Sequence, residues 1–180
     1  MKKELSQTIE IPEGVEVNLE GKTLNVKGKE GEIKKTFNIV KLVFEIKENQ
    51  IVIGNKKATK SEKRMMNTIA SHIKNMIKGV QEKYEYKLKI CFSHFPITVE
   101  VQGNEAIVKN FLGEKIPRKV KILEGVEVKV DKEIITITSH NKELAGQTAA
   151  NFEKATKVGA RDRRVFQDGI FITSKNGREM

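Results

Sequence analysis

The chain has 180 residues, enough for one domain or two small ones, and its single cysteine, Cys91, excludes an internal disulfide and a four-cysteine zinc site. The 34 Lys and Arg residues outnumber the 24 Asp and Glu residues, so the formal net charge of +10 favours an anionic partner: RNA, DNA or an acidic membrane surface. No apolar run follows the N-terminal lysines and none is long enough to cross a bilayer, so we expect a cytoplasmic protein without a signal peptide or membrane contact.

Alternating apolar residues in the first half predict short strands followed by one helix. The strands are expected at residues 15–19, 24–26, 33–39, 42–46 and 50–53. The helix starts at Thr59, which has capping-box spacing to Glu62, and Gly79 is predicted to end it in the left-handed conformation. Its predicted apolar face comprises Met65, Met66, Ile69, Ala70, Ile73, Met76, Ile77 and Val80.

The second half repeats this order of elements. Strands are predicted at residues 84–92, 97–101, 106–108, 119–123, 126–130 and 134–138, and a second helix at about 141–157. A further alternation at Ile170 and Ile172 predicts a last strand after the helix.

The two halves match each other at nearly constant spacing, which indicates an internal duplication. Residues 15–31 match residues 97–113 at an offset of 82, and residues 44–53 match residues 128–137 at an offset of 84. The apolar stripe of the first helix, from Met65 to Ile77, matches residues 144–156 at an offset of 79. We therefore predict an α+β protein with two tandem domains, 1–82 and 83–180, each a mainly antiparallel sheet with one helix packed on it.

No arrangement of side chains in the sequence points to catalysis, a metal or a cofactor. His72, His94 and His140 stand outside any metal-binding or paired-carboxylate motif, and Cys91 has no convincing partner for nucleophilic catalysis. The glycines of residues 27–31 suggest a phosphate loop, but no helix follows them, so a hairpin is predicted there.

The most informative segment is a run of cations after the second helix. Lys154, Lys157, Arg161, Arg163 and Arg164 lie within eleven residues, between the helix and the strand that starts near Ile170. A cationic loop anchored at both ends can present arginines to phosphates in a fixed geometry. Most of the eight Phe fit buried positions, so we expect contact with folded RNA by backbone and shape, without base stacking on exposed aromatic rings.

Motifs along almost the whole chain are those of one protein family. They are Ile9-Glu-Ile-Pro-Glu-Gly14, His94-Phe-Pro96, Ile116-Pro-Arg-Lys119, His140-Asn-Lys-Glu-Leu-Ala-Gly-Gln-Thr-Ala-Ala150 and Arg161-Asp-Arg-Arg-Val-Phe-Gln-Asp-Gly-Ile170. With them the chain resembles universal ribosomal protein six of the large subunit, in the archaeal type whose eukaryotic relative is large-subunit protein nine. The last motif is highly specific, because bacterial members carry a Tyr-Lys-Gly-Lys-Gly pattern at that place.

The resemblance implies a structural constituent of the large ribosomal subunit that binds 23S-type ribosomal RNA. It also implies a place near the stalk base and the sarcin-ricin region, with neighbouring large-subunit proteins and translation factors close by, and most RNA contact in the second domain. The residues expected to bind ribosomal RNA are Lys109, Lys115, Arg118, Lys119, His140, Lys142, Lys154, Lys157, Arg161, Arg163, Arg164 and Lys175.

Two other functions remain open from the residues. A free-standing RNA-binding or RNA-chaperone protein would show the same basic surface but would not stay with the large subunit after a moderate salt wash. An enzyme acting on RNA through His140 would need a general base and a nucleophile or metal converging in one pocket.

Overall fold

The computed structural model describes residues 3–37, 42–47 and 49–180. Contacts divide the chain into two compact units, Met1–Glu82 and Lys83–Met180. Each unit has its own buried apolar core, formed by the inward residues of its strands and one face of its helix.

The described residues of the first unit form six strands and one long helix. They are β1 (Lys3–Glu10), β2 (Glu16–Glu20), β3 (Thr23–Gly28), β4 (Gly31–Thr36), β5 (Val43–Lys47), β6 (Gln50–Ala58) and α1 (Lys60–Gln81). The strands form two three-stranded sheets, in the orders β1-β6-β5 and β2-β3-β4. The predicted strand at 33–39 corresponds to β4, and its last residue, Ile39, lies outside the described residues.

The second unit has the same order of elements and two additional strands at its end. They are β7 (Tyr84–Cys91), β8 (Thr98–Gln102), β9 (Glu105–Lys109), a short 3-10 turn (Phe111–Gly113), β10 (Arg118–Lys121), β11 (Glu127–Asp131), β12 (Ile134–Ser139), α2 (Lys142–Ala155), β13 (Gly169–Lys175) and β14 (Arg178–Glu179). One sheet has the order β10-β9-β8 and the other β11-β12-β7-β13-β14.

The registers of the strand pairs confirm the duplication. Val17 lies opposite Val26 in β2 and β3, and the residues 82 positions later, Val99 and Val108, lie opposite each other in β8 and β9. The β5–β6 pair and the β11–β12 pair have the same register at an offset of 84. The two helices bury equivalent residues at an offset of 79, so Ile73 of α1 corresponds to Phe152 of α2.

The α+β class and the antiparallel pairing are confirmed, because every strand pair in the described residues is antiparallel. In detail the strands of each unit form two sheets rather than the single one expected. The predicted hairpin at residues 27–31 is the β3–β4 turn, where Gly28 lies opposite Gly31.

The prediction that Gly79 ends the first helix is wrong. Gly79 is buried inside α1, which continues to Gln81. Two contacts stabilise the two additional residues. The Val80 carbonyl accepts the Glu30 N–H at 2.9 Å, and Val80 packs so closely on Gly28 that a Cβ added to Gly28 would lie 2.8 Å from a Val80 methyl group. The start was predicted correctly, because the Thr59 N–H donates to Glu62 Oε2 at 2.9 Å.

The expectation that most Phe residues are buried is also wrong. Only Phe37, Phe111 and Phe152 are buried among the described residues, whereas Phe92, Phe95 and Phe171 expose 39%, 42% and 45% of their surface. Phe171 is exposed because its neighbours Ile170 and Ile172 occupy the inward positions of β13, and side chains alternate between the faces of a strand.

Candidate nucleic-acid interface

The basic segment after α2 forms an ordered loop, residues 157–168, which we name the arginine loop. Asp162 organises its centre: its Oδ1 accepts the Arg164 N–H at 2.9 Å, and its carbonyl accepts the N–H groups of Val165 and Phe166 at 3.1 and 2.9 Å. The Arg161 guanidinium stacks over the Phe166 ring at 4.8 Å from its centroid. Phe166 in turn packs on the core of the second unit, so the loop is attached to the rest of the unit.

Both ends of the arginine loop are anchored. At its start, Thr156 Oγ1 donates to the Phe152 carbonyl at 3.1 Å and accepts the Ile170 N–H at 2.9 Å, which joins the end of α2 to β13. At its end, the buried Asp168 accepts the Ser93 N–H at 3.2 Å. These bonds fix the positions at which the loop leaves and re-enters the fold.

The Arg164 side chain is paired within the loop. Its Nη2 donates to Asp162 Oδ2 at 2.8 Å, although 90% of the arginine side chain is exposed. The Arg164 guanidinium lowers the pKa of the Asp162 carboxyl below its ordinary value, so the carboxylate stays ionised and offsets one positive charge of the loop.

Arg118 has its guanidinium committed to internal acceptors. Nε and Nη2 donate to the two carboxylate oxygens of Glu114 at 2.8 and 2.6 Å, and Nη1 donates to the Ala155 carbonyl at 2.7 Å. The guanidinium also lies over the buried Phe111 ring at 4.3 Å. Arg118 therefore connects β10 to the last turn of α2 and satisfies a carbonyl that the helix leaves without an intrahelical partner.

Arg118 is the main cause of a lowered pKa at Glu114, through the bidentate hydrogen bond. Arg161 contributes a smaller electrostatic effect in the same direction, so the arginine loop lies close to the connection between β9 and β10. The end of α2, the arginine loop and the start of β10 thus form one continuous basic region.

Lys154, Lys157 and Arg163 are exposed cations of this region that form no ion pair with any residue that the structure describes. Together with Arg118, Arg161 and Arg164 they make up what we name the α2 C-terminal cluster. Cations at this end of a helix also interact favourably with its dipole.

A groove of about 1010 Å³ runs beside the cluster, between α2, β13 and the arginine loop. Lys154, Lys157 and Arg163 line it, together with the exposed rings of Phe92 and Phe171. Its two acidic residues, Glu153 and Asp168, are engaged with backbone N–H groups of Ile172 and Ser93. The groove combines free positive charge with exposed aromatic surface, which the sequence prediction did not foresee.

Three of the predicted residues lie at the other end of α2. His140 and Lys142 flank its N-terminus, where Lys142 Nζ lies 5.7 Å from the centroid of the Tyr84 ring. Lys175 is opposite Tyr86 at the far end of β13. Since α2 has 14 residues, this second group is about 20 Å from the α2 C-terminal cluster.

The remaining predicted residues are on or next to the smaller sheet. Lys109 pairs with Glu100 at 2.6 Å and Lys119 with Glu105 at 3.5 Å, so both carry an opposite charge beside them. Lys115 is exposed in the connection between β9 and β10, one residue after Glu114.

Among the described residues there is no group of three His, Cys, Asp or Glu side chains that could hold a metal ion. Nor does that part of the chain contain a helix with the length and apolar character needed to span a bilayer. The predicted site is therefore a surface of cations, without a cluster of metal-ligating side chains in the part of the chain described.

Comparison with known proteins decides the family. The model of the family described as ribosomal protein L6 matches the chain twice, over residues 11–83 and 95–169. The chain belongs to the ribosomal protein L6 family. The two matches fall in the two halves, as the duplication predicts.

Archaeal members of the L6 family are similar to this chain along nearly its full length. The large ribosomal subunit protein uL6 of Methanosarcina mazei is 45% identical, with 97% of this chain and 99% of that protein covered. The protein of the same name from Methanococcus vannielii is 44% identical over 97% of this chain and 96% of its own length. The one from Ignicoccus hospitalis is 45% identical over 93% and 92%.

The L6 family confirms the resemblance to universal ribosomal protein six, in its archaeal type. It also confirms the predictions of a structural, non-enzymatic constituent of the large ribosomal subunit, and hence of a ribosomal location in the cytoplasm. These conclusions come from the family and not from individual RNA contacts.

Proposed function

We propose that the chain binds 23S-type ribosomal RNA of the large subunit through the α2 C-terminal cluster of its second unit. The observation that carries this proposal is the convergence of six cations on one end of α2, around a loop that internal hydrogen bonds hold in place. Four of the six form no ion pair within the described residues, and three of these, Lys154, Lys157 and Arg163, also have no aromatic ring beneath them. They are available to phosphates without first breaking an internal bond.

The residues of this region have two roles: some bind RNA and others position the binding residues. Lys154, Lys157 and Arg163 contact phosphates, and such contacts fix the register of a protein on RNA without reading sequence. Arg118 and Asp162 act through the fold: the first connects β10 to α2, and the second shapes the arginine loop. Because the loop is ordered before binding, less conformational entropy is lost when RNA is bound.

Two variants, each lacking three positive charges at a different place, test the proposal. In one variant Lys154, Lys157 and Arg163 are replaced by Ala, and in the matched control Lys60, Lys63 and Arg64, which are exposed on α1, are replaced instead. We expect the first variant to bind ribosomal RNA more weakly and to reduce the slope of log affinity against log salt by about 2 to 3, since each phosphate contact contributes about 0.7 to 0.9.

The control variant should keep the slope of the parent chain, with circular dichroism showing both variants folded. Equal slopes for the parent chain and the first variant would reject the α2 C-terminal cluster as the RNA contact. An equal loss in both variants would mean that charge acts without regard to position.

The aromatic surface of the groove extends the proposal to an unstacked base. Phe92 and Phe171 lie beside the unpaired cations, and stacking of one base on an aromatic ring contributes about 1 to 3 kcal/mol. We predict that replacing both with Ala lowers RNA affinity about tenfold or more while the salt slope stays unchanged, because no phosphate contact is lost. Phe95→Ala, which removes an exposed ring outside the groove, is the control. Equal RNA affinities for the parent chain, the double variant and Phe95→Ala would exclude base stacking in the groove.

We further propose that the second group, His140, Lys142 and Lys175, contacts a separate stretch of the RNA, because about 20 Å separates it from the cluster. The resemblance to the archaeal type supports a place near the stalk base and the sarcin-ricin region, beside other large-subunit proteins and translation factors. Chemical footprinting of large subunits with and without the chain should protect nucleotides in that region, and protection confined to other regions would contradict this placement.

A further inference from the structure

The two units differ in one respect that the duplication makes visible: the second has a strand, β13, with no counterpart among the described residues of the first. In the second unit β13 pairs with the outer edge of β7 and lies beside α2. In the first unit, the strand equivalent to β7 is β1, which pairs only with β6 in the described part of the chain. Within its described residues, the first unit thus presents an open strand edge at the place that β13 fills in the second.

The equivalence of β1 and β7 rests on their registers. Ile9 of β1 lies opposite Ile51, and Leu88 of β7 lies opposite Ile135, which follows Ile51 by 84 residues. The hydrogen bonds just beyond these pairs also correspond. The Ile11 N–H donates to the Asn49 carbonyl at 2.8 Å, and the Ile90 N–H donates to the Glu133 carbonyl at 2.7 Å.

The helices supply the second wall of this place. In the second unit, Glu153 of α2 and Thr156, the C-cap of that helix, accept the N–H groups of Ile172 and Ile170 at 3.1 and 2.9 Å, so the end of α2 holds β13 directly. The residues 79 positions earlier are Lys74 and Ile77 of α1. These two line a groove of about 870 Å³ together with Thr8, Ile9 and Glu10 of β1 and Lys78 of α1. We name this groove the β1 slot.

We propose that the β1 slot receives an extended segment of a neighbouring large-subunit protein, which adds a strand to the edge of β1. The proposal rests on the proposed function in that it places the chain among other proteins of the particle. Strand addition to an exposed sheet edge uses the free backbone groups for binding and the walls of the slot for selectivity. The second unit shows the geometry that results, because there the chain supplies the strand itself.

The walls of the slot indicate the chemistry of the incoming segment. Ile170, which occupies the equivalent place in the second unit, is buried, and Ile77 forms the corresponding wall of the first. An apolar side chain is therefore expected at this point of the segment. Lys74 stands where Glu153 accepts an N–H from β13; an ammonium group can only donate, so the segment should present an acceptor to α1, either a backbone carbonyl or a carboxylate.

The free edge can be disabled without touching the pairing of β1 with β6. Successive N–H groups of a strand point to opposite edges, and the Ile11 N–H points to the β6 side, so the N–H groups of Thr8 and Glu10 point to the slot. Thr8→Pro removes one of them, and proline is tolerated on an edge strand whose N–H has no partner in the sheet. Thr8→Ala keeps the N–H and serves as the matched control.

The test is binding of the full chain to large subunits from which it has been removed. We expect Thr8→Pro to bind about tenfold more weakly than Thr8→Ala, since a backbone hydrogen bond and the close approach of the added strand are both lost. Lys74→Glu should weaken binding to a similar extent, because a carboxylate cannot donate to the acceptor of the segment, whereas Lys63→Glu on another part of α1 should not. Equal binding by Thr8→Pro and Thr8→Ala would overturn the proposal.

Cross-linking identifies what fills the slot. A photoreactive benzoylphenylalanine in place of Thr8 should cross-link to a ribosomal protein in the intact large subunit. A cross-link to ribosomal RNA alone, or none, would overturn the proposal. All of these variants should bind isolated 23S-type ribosomal RNA like the parent chain, so failure of the slot is distinguishable from failure of RNA binding by the α2 C-terminal cluster.

Discussion

Arg118 shows, at the scale of the residue, that a basic side chain in a basic region need not be a phosphate ligand. Its guanidinium already has acceptors in Glu114 and Ala155 and a ring beneath it, so contact with RNA would compete with bonds that hold the last turn of α2. We therefore interpret Arg118 as a positioning residue for the α2 C-terminal cluster.

The ion pair between Arg118 and Glu114 makes stability depend on pH. The pKa of Glu114 in the folded chain is lowered by Arg118, so the pair stabilises the fold above the ordinary glutamate pKa of about 4.3, and this contribution is lost as pH falls through the lowered value. Glu114→Gln should reduce the free energy of unfolding by about 1 kcal/mol or less at pH 7, because the pair is partly exposed.

Urea unfolding at a series of pH values checks this prediction. The difference between the parent chain and Glu114→Gln should shrink below pH 4.3 and vanish at lower pH. Glu105→Gln, which removes only a single exposed contact with Lys119, is the control. A difference that persists unchanged at low pH would contradict the assigned role of the ion pair.

The sequence shows which residues are charged, but not which charged side chains already have partners within the fold. Arg118, Arg161 and Arg163 are alike in the sequence, and only the fold distinguishes them. The Arg118 guanidinium is hydrogen-bonded to internal acceptors, that of Arg161 stacks on a ring, and that of Arg163 has no partner within the described residues. The exposed Phe171 could have been predicted, because it lies between two inward isoleucines. Phe92 could not, since it follows the last residue of β7, where alternation no longer applies.

At the scale of the element, the arginine loop tests whether order or charge determines RNA binding. The Asp162 carboxylate offsets one positive charge of the loop, yet it also organises the turn. If charge alone mattered, any loss of Asp162 would strengthen RNA binding.

We predict that Asp162→Ala weakens RNA binding about fivefold although it raises the net charge, because the side-chain oxygen that accepts the Arg164 N–H is lost. Asp162→Asn keeps that oxygen and should bind as well as the parent chain or better. Asp131→Ala on β11 controls for the removal of one carboxylate from the same unit. Measurement of RNA affinity for the three variants decides between the two explanations; stronger binding by Asp162→Ala would favour charge alone.

Strand and helix positions were largely predictable, because burial on one face leaves a period in the sequence. β1 was not predicted, because its residues are mostly polar. Its two large apolar residues, Leu5 and Ile9, are four positions apart and show no alternation of period two. The end of α1 was misplaced because it depends on Val80 packing against Gly28, a contact between residues far apart in the chain. Local patterns carry no information about such contacts.

At the scale of the whole molecule, the duplication separates two kinds of surface. The second unit closes the outer edge of β7 with its own strand, β13, and the arginine loop leads into that strand. In the first unit, no strand of the described residues covers the corresponding edge. We interpret the second unit as the RNA-binding half and the first as the half that contacts proteins.

Directed hydroxyl-radical cleavage of ribosomal RNA tests this division most directly. An iron chelate is attached to a single introduced cysteine, either Gly159→Cys in the arginine loop or Ser61→Cys on α1, in a Cys91→Ser background. Position 159 suits the chelate because nothing lies within 4 Å of a Cβ added there. In complexes with isolated 23S-type RNA, the chelate at 159 should cleave nucleotides near the stalk base and the sarcin-ricin region, and the chelate at 61 should not exceed background. Cleavage from 61 with none from 159 would contradict the account.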